Sequence, residues 1–296
     1  MNNYKIYDNS LQYSGNRNTL NRLSNILNLP KTNQIENYII GIHLFKFGKL
    51  VINKNLNFIV IIGGTDINID HQYPEKFNIM KTVILEAKYV ICFSPYIHLK
   101  TTQLFGTHNK YKIIPQSVQI NENIHSHNLS ELYNANKIFL FIGNVRSVKD
   151  PIFLIEIFKK LYALKNYKLI IVGKNVENKE YDFNNGIIYY DGLPHDHIFF
   201  LMKNCNGLIN SSKSEGMSLS ILEAMKLRCP VYVRNNYGNL SIVKDKCNGY
   251  VFETADELEQ ILELDTDIIT ENAYNYVNIY HNVENERNSY FSIINV

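Results

Sequence analysis

The chain has no tryptophan and only four cysteines, Cys92, Cys205, Cys229 and Cys247. No two of them form a C-x-x-C pair, so there is neither zinc-finger spacing nor a dithiol redox motif. Reduced thiols in a cytoplasmic protein are the expectation. A charge imbalance is missing too. Lys and Arg number 30 against 28 Asp and Glu, a formal net charge of +2. That balance gives no electrostatic case for nucleic acid or a strongly acidic partner. The N-terminus "MNNYKIYDNS" has no apolar signal region. No run reaches the ~18 apolar residues of a spanning helix. The most apolar region, residues 38–64, is interrupted by Lys46, Lys49 and Lys54. These lysines alternate with Phe45, Phe47 and Leu50. The pattern is weakly amphipathic and basic, compatible with peripheral membrane contact or with an ordinary surface helix.

What the chain does have is a hydrophobic content of 45% and a regular alternation. Apolar, β-branched runs near 5–9, 38–43, 57–64, 89–94 and 112–116 read as strands, with helical patterns such as 74–87 between them. A second series follows near 138–143, 168–173, 187–192, 207–211, 230–234 and 249–252. Its helices include 151–164, 198–203 and 219–227. Continuous apolar strands alternating with helices predict α/β architecture, with parallel sheets covered on both faces. The expected domains are 1–120, a polar linker 121–136, a second domain 137–270, and a helix and tail at 271–296 able to cross back to the first domain. Ligands of such sheets bind beyond the carboxyl ends of the strands. There the sequence places Gly63-Gly64-Thr65-Asp66, Gly143-Asn144, Gly173-Lys174 and Asn210-Ser211-Ser212.

Two stretches carry most of the chemistry. In "SSKSEGMSLSILEAMKLRCPV", a strand runs into Glu215-Gly216-Met217-Ser218 and then a helix. Backbone N–H groups at such a turn attract phosphate, and Gly216 permits close approach. Carboxylates accept hydrogen bonds from sugar hydroxyls, so Glu215 can reach a sugar ring and Glu223 a ribose. The competing reading makes Ser220 and Glu223 a capping box. In "FIGNVRSVKDPIFLIEIF", the loop after Gly143 carries Arg146 and Lys149 ahead of a helix starting at Pro151. Two cations there suit a diphosphate; the plainer reading is a solvated loop with Asp150 as helix cap. In the first half, Ser14-Gly15-Asn16 is a small-residue turn into a helix, without the G-x-G-x-x-G of a dinucleotide site. His43 and Asp66 stand at strand ends. His195 and His197 lack a third ligand, so no metal site is expected.

These segments resemble the family 4 retaining glycosyltransferases of the GT-B fold, also called glycosyl transferases group 1. "SEGMSLSILEAMKLRCPVYVRNNYGNLSIVKDKCNGYVFE" is similar to that family's E-G-[FM]-[GS]-x-x-x-L-E-A-M … P-V … G-N … I-V … N-G-x-V-F signature. "KIIPQSV" resembles its interdomain V-I-P-N-G-V, and "IGNVRSVKDP" its G-R-L-x-x-x-K-G loop. "SGNRNT", "IIGIHLFKFGKL", "GGTDIN" and "NSSKSEGMS" resemble the group of glycosyltransferase 1 domain-containing proteins. The resemblance implies two facing Rossmann-like domains with an interdomain cleft. It implies a nucleotide-diphosphate sugar as donor, UDP- or GDP-linked, with no further cofactor, and a hydroxyl acceptor of unspecified kind. It assigns Glu215 to the donor sugar and Glu223 to the nucleotide ribose. Gly216, Met217 and Ser218 would give backbone contacts, and Arg146 and Lys149 would hold the diphosphate beside Gly143. Gly15 would lie over the donor phosphate, with His43 and Asp66 on the acceptor side. Asn144 stands where the family's loop has Arg. The first domain is short for this fold. A catalytically degenerate nucleotide-sugar-binding or scaffold protein is therefore the alternative to a transferase. A nucleotide-sugar epimerase on the same architecture is a third reading, but no second acidic set flanks the sugar.

Overall fold

A computed structural model of the chain describes residues 4–9, 15–120 and 134–294. Ser14 and most of the expected linker lie outside the described residues. Two compact units emerge. The first comprises Met1–Ser117, Glu215–Met217 and Tyr280–Val296; the second comprises Val118–Ser214 and Ser218–Ile279. Residues 271–279, grouped with the tail in the sequence reading, thus pack with the second unit.

The first unit holds a parallel sheet of β1 (Lys5–Tyr7), β2 (Lys31–Thr32), β3 (Ile39–Ile42), β4 (Phe58–Ile61), β5 (Tyr89–Cys92) and β6 (Tyr111–Ile113). The strand order is β2-β1-β3-β4-β5-β6. Registers Ile40↔Ile59 and Val60↔Val90 align β-branched residues across the centre, where both faces of the sheet are covered. All four residues of β4 are buried. Helices Pro74–Glu86 and Pro95–Phe105 each begin on proline, whose fixed φ suits a first helical turn. Ser94 caps the second by accepting from the Ile97 N–H at 3.2 Å. The C-terminal helix Val283–Ile294 adds Tyr290, Ile293 and Ile294 to this unit's core, which also contains Leu20, Leu23 and Ile26 of helix Gly15–Leu27.

The second unit repeats the plan with β7 (Lys137–Ile142), β8 (Tyr167–Val172), β9 (Ile187–Tyr190), β10 (Gly207–Asn210), β11 (Val231–Arg234) and β12 (Tyr250–Phe252). The order is β12-β11-β10-β7-β8-β9, all parallel. This is the doubly wound order, which reverses between β7 and β10. In the first unit the reversal falls between β1 and β3. A Rossmann-type sheet presents its ligand crevice outside the carboxyl ends of those strands.

No helix among the described residues is long and apolar enough to cross a membrane. The Lys/Phe pattern at 45–54 has a structural explanation. Phe47 is buried against Tyr7 and Phe58, and the Phe45 ring lies under the Lys49 and Lys76 ammonium groups, at 5.5 and 5.3 Å. Phe47 thus faces the first unit's core.

All four cysteines are free thiols. Burial pushes the Cys92 thiol up to about 12. The adjoining Cys205 side chain, 3.6 Å away, together with burial raises that of Cys229. A raised thiol pKa means fewer thiolates, the reactive form, at any pH below it. Iodoacetamide at pH 8 is therefore expected to label the exposed Cys247 first and to spare Cys92 and Cys229 until the protein unfolds. Peptide mass spectrometry reads this directly. Rapid native labelling of Cys92 would contradict the packing around β5.

Candidate active site

The second unit's site is built on the loops after β7 and β10, the two strands that flank the reversal. Gly143, with φ +147°, follows β7 directly, and Gly173, with φ +152°, follows β8. A Cβ on Gly173 would overlap the Gly143 carbonyl, so only glycine lets these strand ends close together. Val145 is fully buried and its N–H reaches the Lys174 carbonyl at 2.9 Å, pinning the start of the loop. Arg146 and Lys149 follow, both half-buried. The Arg146 Nε is buried with no hydrogen-bond partner. The Lys149 side chain lies over Gly143: its Cε is 3.5 Å from the position a Cβ would take there. Helix Pro151–Lys165 then carries Leu154, Phe158 and Leu161 into the core.

Asp150 occupies the helix N-cap position but does not cap it. Its carboxylate pairs instead with Arg234 at 2.5 Å and Lys213 at 3.3 Å. It stands where the resembling family loop ends in glycine, and it takes the left-handed conformation, φ 50° and ψ 53°.

After β10, Ser211 and Ser212 are buried, and the Ser211 hydroxyl donates to the Lys149 carbonyl at 2.8 Å. The two loops are thus joined. Helix Leu219–Lys226 begins one residue before Ser220, with Ser218 in the N-cap position, so the competing reading, a Ser220–Glu223 capping box, does not hold. Ile221, Leu222, Ala224 and Met225 face the core, and Glu223 lies half-buried on the opposite side. Asn210 donates to the Ser218 hydroxyl at 3.4 Å. Asn239, fully buried, donates to the Arg234 carbonyl at 2.9 Å, and Asn236 donates to the Ser212 carbonyl at 2.8 Å. Of these braces the sequence reading named only Asn210; Asn236 and Asn239 escaped it. Their signal is position: Asn210 closes an apolar strand, and Asn236 caps the short helix Tyr237–Leu240 that follows β11 and contains Asn239.

In the first unit, His43 follows β3 at the reversal, with φ +90°. Helix Gly15–Leu27, after β1, opens on Gly15. The His43 Nδ1 lies 2.5 Å from Asp66 Oδ1. Asp66 also accepts from the backbone N–H groups of Leu44 and Gly63 at 2.8 Å and Phe45 at 3.3 Å. Three backbone donors and the adjoining imidazole surround the carboxylate, and Asp66 has no exposed surface. It therefore fixes the loop and the imidazole rather than presenting itself to a ligand. The His43 Nε2 is buried without a hydrogen-bond partner, 3.6 Å from Asp70 Oδ2. His43, Asp66 and Asp70 bring potential metal-ligand atoms within 4.8 Å of one another. With Asp66 committed, only one nitrogen and one carboxylate remain to bind.

The residues Glu215–Met217 pack with this first unit. Asn68 donates to the Glu215 carbonyl and Gln116 to the Met217 carbonyl, both at 3.1 Å. Gly216 sits against Gly64: a Cβ on Gly64 would come within 2.6 Å of the Gly216 nitrogen. Gly143, Arg146, Lys149, Ser218 and Glu223 thus belong to the second unit, where Gly143 meets the Lys149 side chain. His43, Asp66, Glu215, Gly216 and Met217 belong to the first, where Gly15 opens its helix.

Comparison with known proteins now decides the family. The profile described as "Glycosyl transferases group 1" matches residues 124–281. The chain is 34% identical over 278 residues to Glycosyltransferase 1 domain-containing protein 1 of Xenopus tropicalis, covering 86% of this chain and 80% of that protein. The chain belongs to the glycosyl transferases group 1 family. An uncharacterized glycosyltransferase of Methanocaldococcus jannaschii is 29% identical over 201 residues, and the match spans only 48% of its length. Among solved structures, Anabaena HepE in complex with UDP-glucose superposes with a TM-score of 0.79, at 15% identity, over 99% of both chains. At that identity the likeness speaks for the fold, which is GT-B.

Proposed function

We propose that this glycosyltransferase moves a sugar, with retention and without a metal ion, from a nucleotide-diphosphate donor to an acceptor hydroxyl. One observation carries the reading. Arg146 and Lys149 sit on the loop after β7, which is bonded to the loop after β10, at the place where a doubly wound sheet receives its ligand. A diphosphate there meets two cations, and the orphaned Arg146 Nε gains an acceptor. Glu223 takes the ribose hydroxyls, and Glu215 the donor sugar. The Gly216, Met217 and Ser218 backbone lines the phosphate side. Gly15, at the start of its helix in the first unit, is the residue the family resemblance assigns to the donor phosphate. His43, held by Asp66, faces the acceptor through Nε2; Asp66 acts only through His43. Departure of the nucleotide diphosphate, assisted by Arg146 and Lys149, lets the acceptor attack from the same face. Glu215 is not a nucleophile, since the paired-carboxylate logic of glycosidases does not apply. The free thiols fit a cytoplasmic setting. The UDP-glucose bound to HepE makes UDP-linked donors the first to try.

A thermal-shift screen against UDP, GDP, ADP and their sugar conjugates, repeated with Glu223→Ala, tests the donor site. A ligand at ~100 times its Kd adds about 2.7 kcal/mol to stability, an easily read shift. Stabilisation by one nucleotide series, lost in Glu223→Ala, is expected. No stabilisation by any series would favour a degenerate scaffold instead.

A further inference from the structure

We propose that Ser211 and Arg234 are positioning residues for the donor diphosphate, acting through the backbone of Lys149. The inference rests on the reading of Lys149 as a diphosphate ligand. The contacts that carry it all lie in the second unit. The Ser211 hydroxyl, fully buried, donates to the carbonyl of Lys149 at 2.8 Å and to that of Asp150 at 3.3 Å. The Lys213 N–H donates to the Val148 carbonyl at 2.9 Å. Three successive carbonyls of the cationic loop are therefore tied to the segment leaving β10.

Arg234, the last residue of β11, completes the clamp. Its Nη1 donates to Asp150 Oδ2 at 2.5 Å and to the Ser211 carbonyl at 3.3 Å. Its guanidinium lies 4.8 Å from the centre of the Phe153 ring, which fixes its plane. Asp150 is held in the left-handed conformation, and a non-glycine residue keeps such a conformation only when its neighbours over-determine it. Arg234 and Lys213 are those neighbours. The result is mechanical. Lysine has a long flexible stem and a point charge, so its aim depends on where its backbone is fixed. Two strand ends, β10 and β11, fix it.

The test compares calorimetric affinities for UDP and UMP, which differ by one phosphate, with GDP and GMP as a parallel pair. Wild type is expected to prefer the diphosphate in one pair, and Lys149→Ala to lose most of that preference. Ser211→Ala and Arg234→Met should each lower the diphosphate-over-monophosphate ratio roughly 3–10-fold, leaving monophosphate affinity unchanged. Arg234→Lys, which keeps a cation for Asp150, should recover part of it. A merely structural role would weaken both nucleotides equally. If Arg234→Met does not fold, Ser211→Ala and Arg234→Lys carry the comparison. If Lys149→Ala loses the preference while Ser211→Ala and a folded Arg234 variant keep it in full, the clamp is refuted and the donor reading stands. If wild type shows no preference in either pair, the donor reading falls and the clamp with it.

Discussion

Lys149→Ala is expected to cut sugar transfer by about 10²–10³-fold, the range seen when one preorganised group is removed from a developing charge. As the bond from sugar to diphosphate breaks, negative charge grows on the leaving oxygen. On the proposed reading, the ammonium of half-buried Lys149, on the loop after β7, would meet that charge with little reorganisation, because Ser211 already holds the Lys149 carbonyl. Its interaction is stronger with the transition state than with the intact donor, so the loss should fall mainly on kcat and less on KM. Lys149→Arg should recover only part of the rate, because a planar fork does not reproduce a point charge at the same reach. Nucleotide release from the donor recognised in the thermal screen measures the effect, with a melting curve to show that the variant is folded. Full turnover by a folded Lys149→Ala would remove Lys149 from the leaving-group role.

The legible part of this molecule was its local part. Strands such as Phe58–Ile61 and Tyr167–Val172 announce themselves because buried parallel strands must be continuously apolar. β2 escaped because Lys31–Thr32 is a two-residue, solvent-facing edge with no apolar signal. The loops after β7 and β10 were legible as candidates because glycine, serine and cations follow directly on apolar strands, where a doubly wound sheet receives its ligand. What was not legible depends on contacts between residues far apart in the chain. Asp150 reads as a helix cap until Arg234, 84 residues away, claims its carboxylate. Ser220 and Glu223 spell a capping box, yet the helix begins early enough to put Ser218 in the cap position. Asp66 reads as a polar group at a strand end. Only the three-dimensional placement of the Leu44, Phe45 and Gly63 N–H groups shows both its oxygens to be engaged by the backbone. In each case composition and spacing gave the residue type correctly, and its role was decided by a partner that no periodicity encodes.

The same distinction governs the largest expected effect on stability, that of Glu286→Ala. Glu286 lies in the C-terminal helix Val283–Ile294 and is 1% exposed; its partner Arg22, 264 residues earlier, is 7% exposed. One carboxylate oxygen accepts from Arg22 Nη1, from the Ser117 N–H at 2.8 Å and from the Ser117 hydroxyl at 2.6 Å. Removing it leaves a buried guanidinium and two Ser117 donors without their acceptor. Breaking such a pair from one side costs about 3–5 kcal/mol, a large share of the 5–15 kcal/mol that holds a typical domain. The cluster has little reserve, since Arg22 Nε, Arg22 Nη2 and Glu286 Oε1 already lack partners. Loss of the anchor also loosens Tyr290, Ile293 and Ile294 from the first unit's core. Urea unfolding should show the deficit as a lower midpoint, with Glu286→Gln milder because it keeps an acceptor oxygen. The double replacement Arg22→Met with Glu286→Leu should be more stable than Glu286→Ala, because no charge is then buried alone. A Glu286→Ala protein within about 0.5 kcal/mol of wild type, the scale of an ordinary surface substitution, would mean that the helix is held by its apolar face and not by this ion pair.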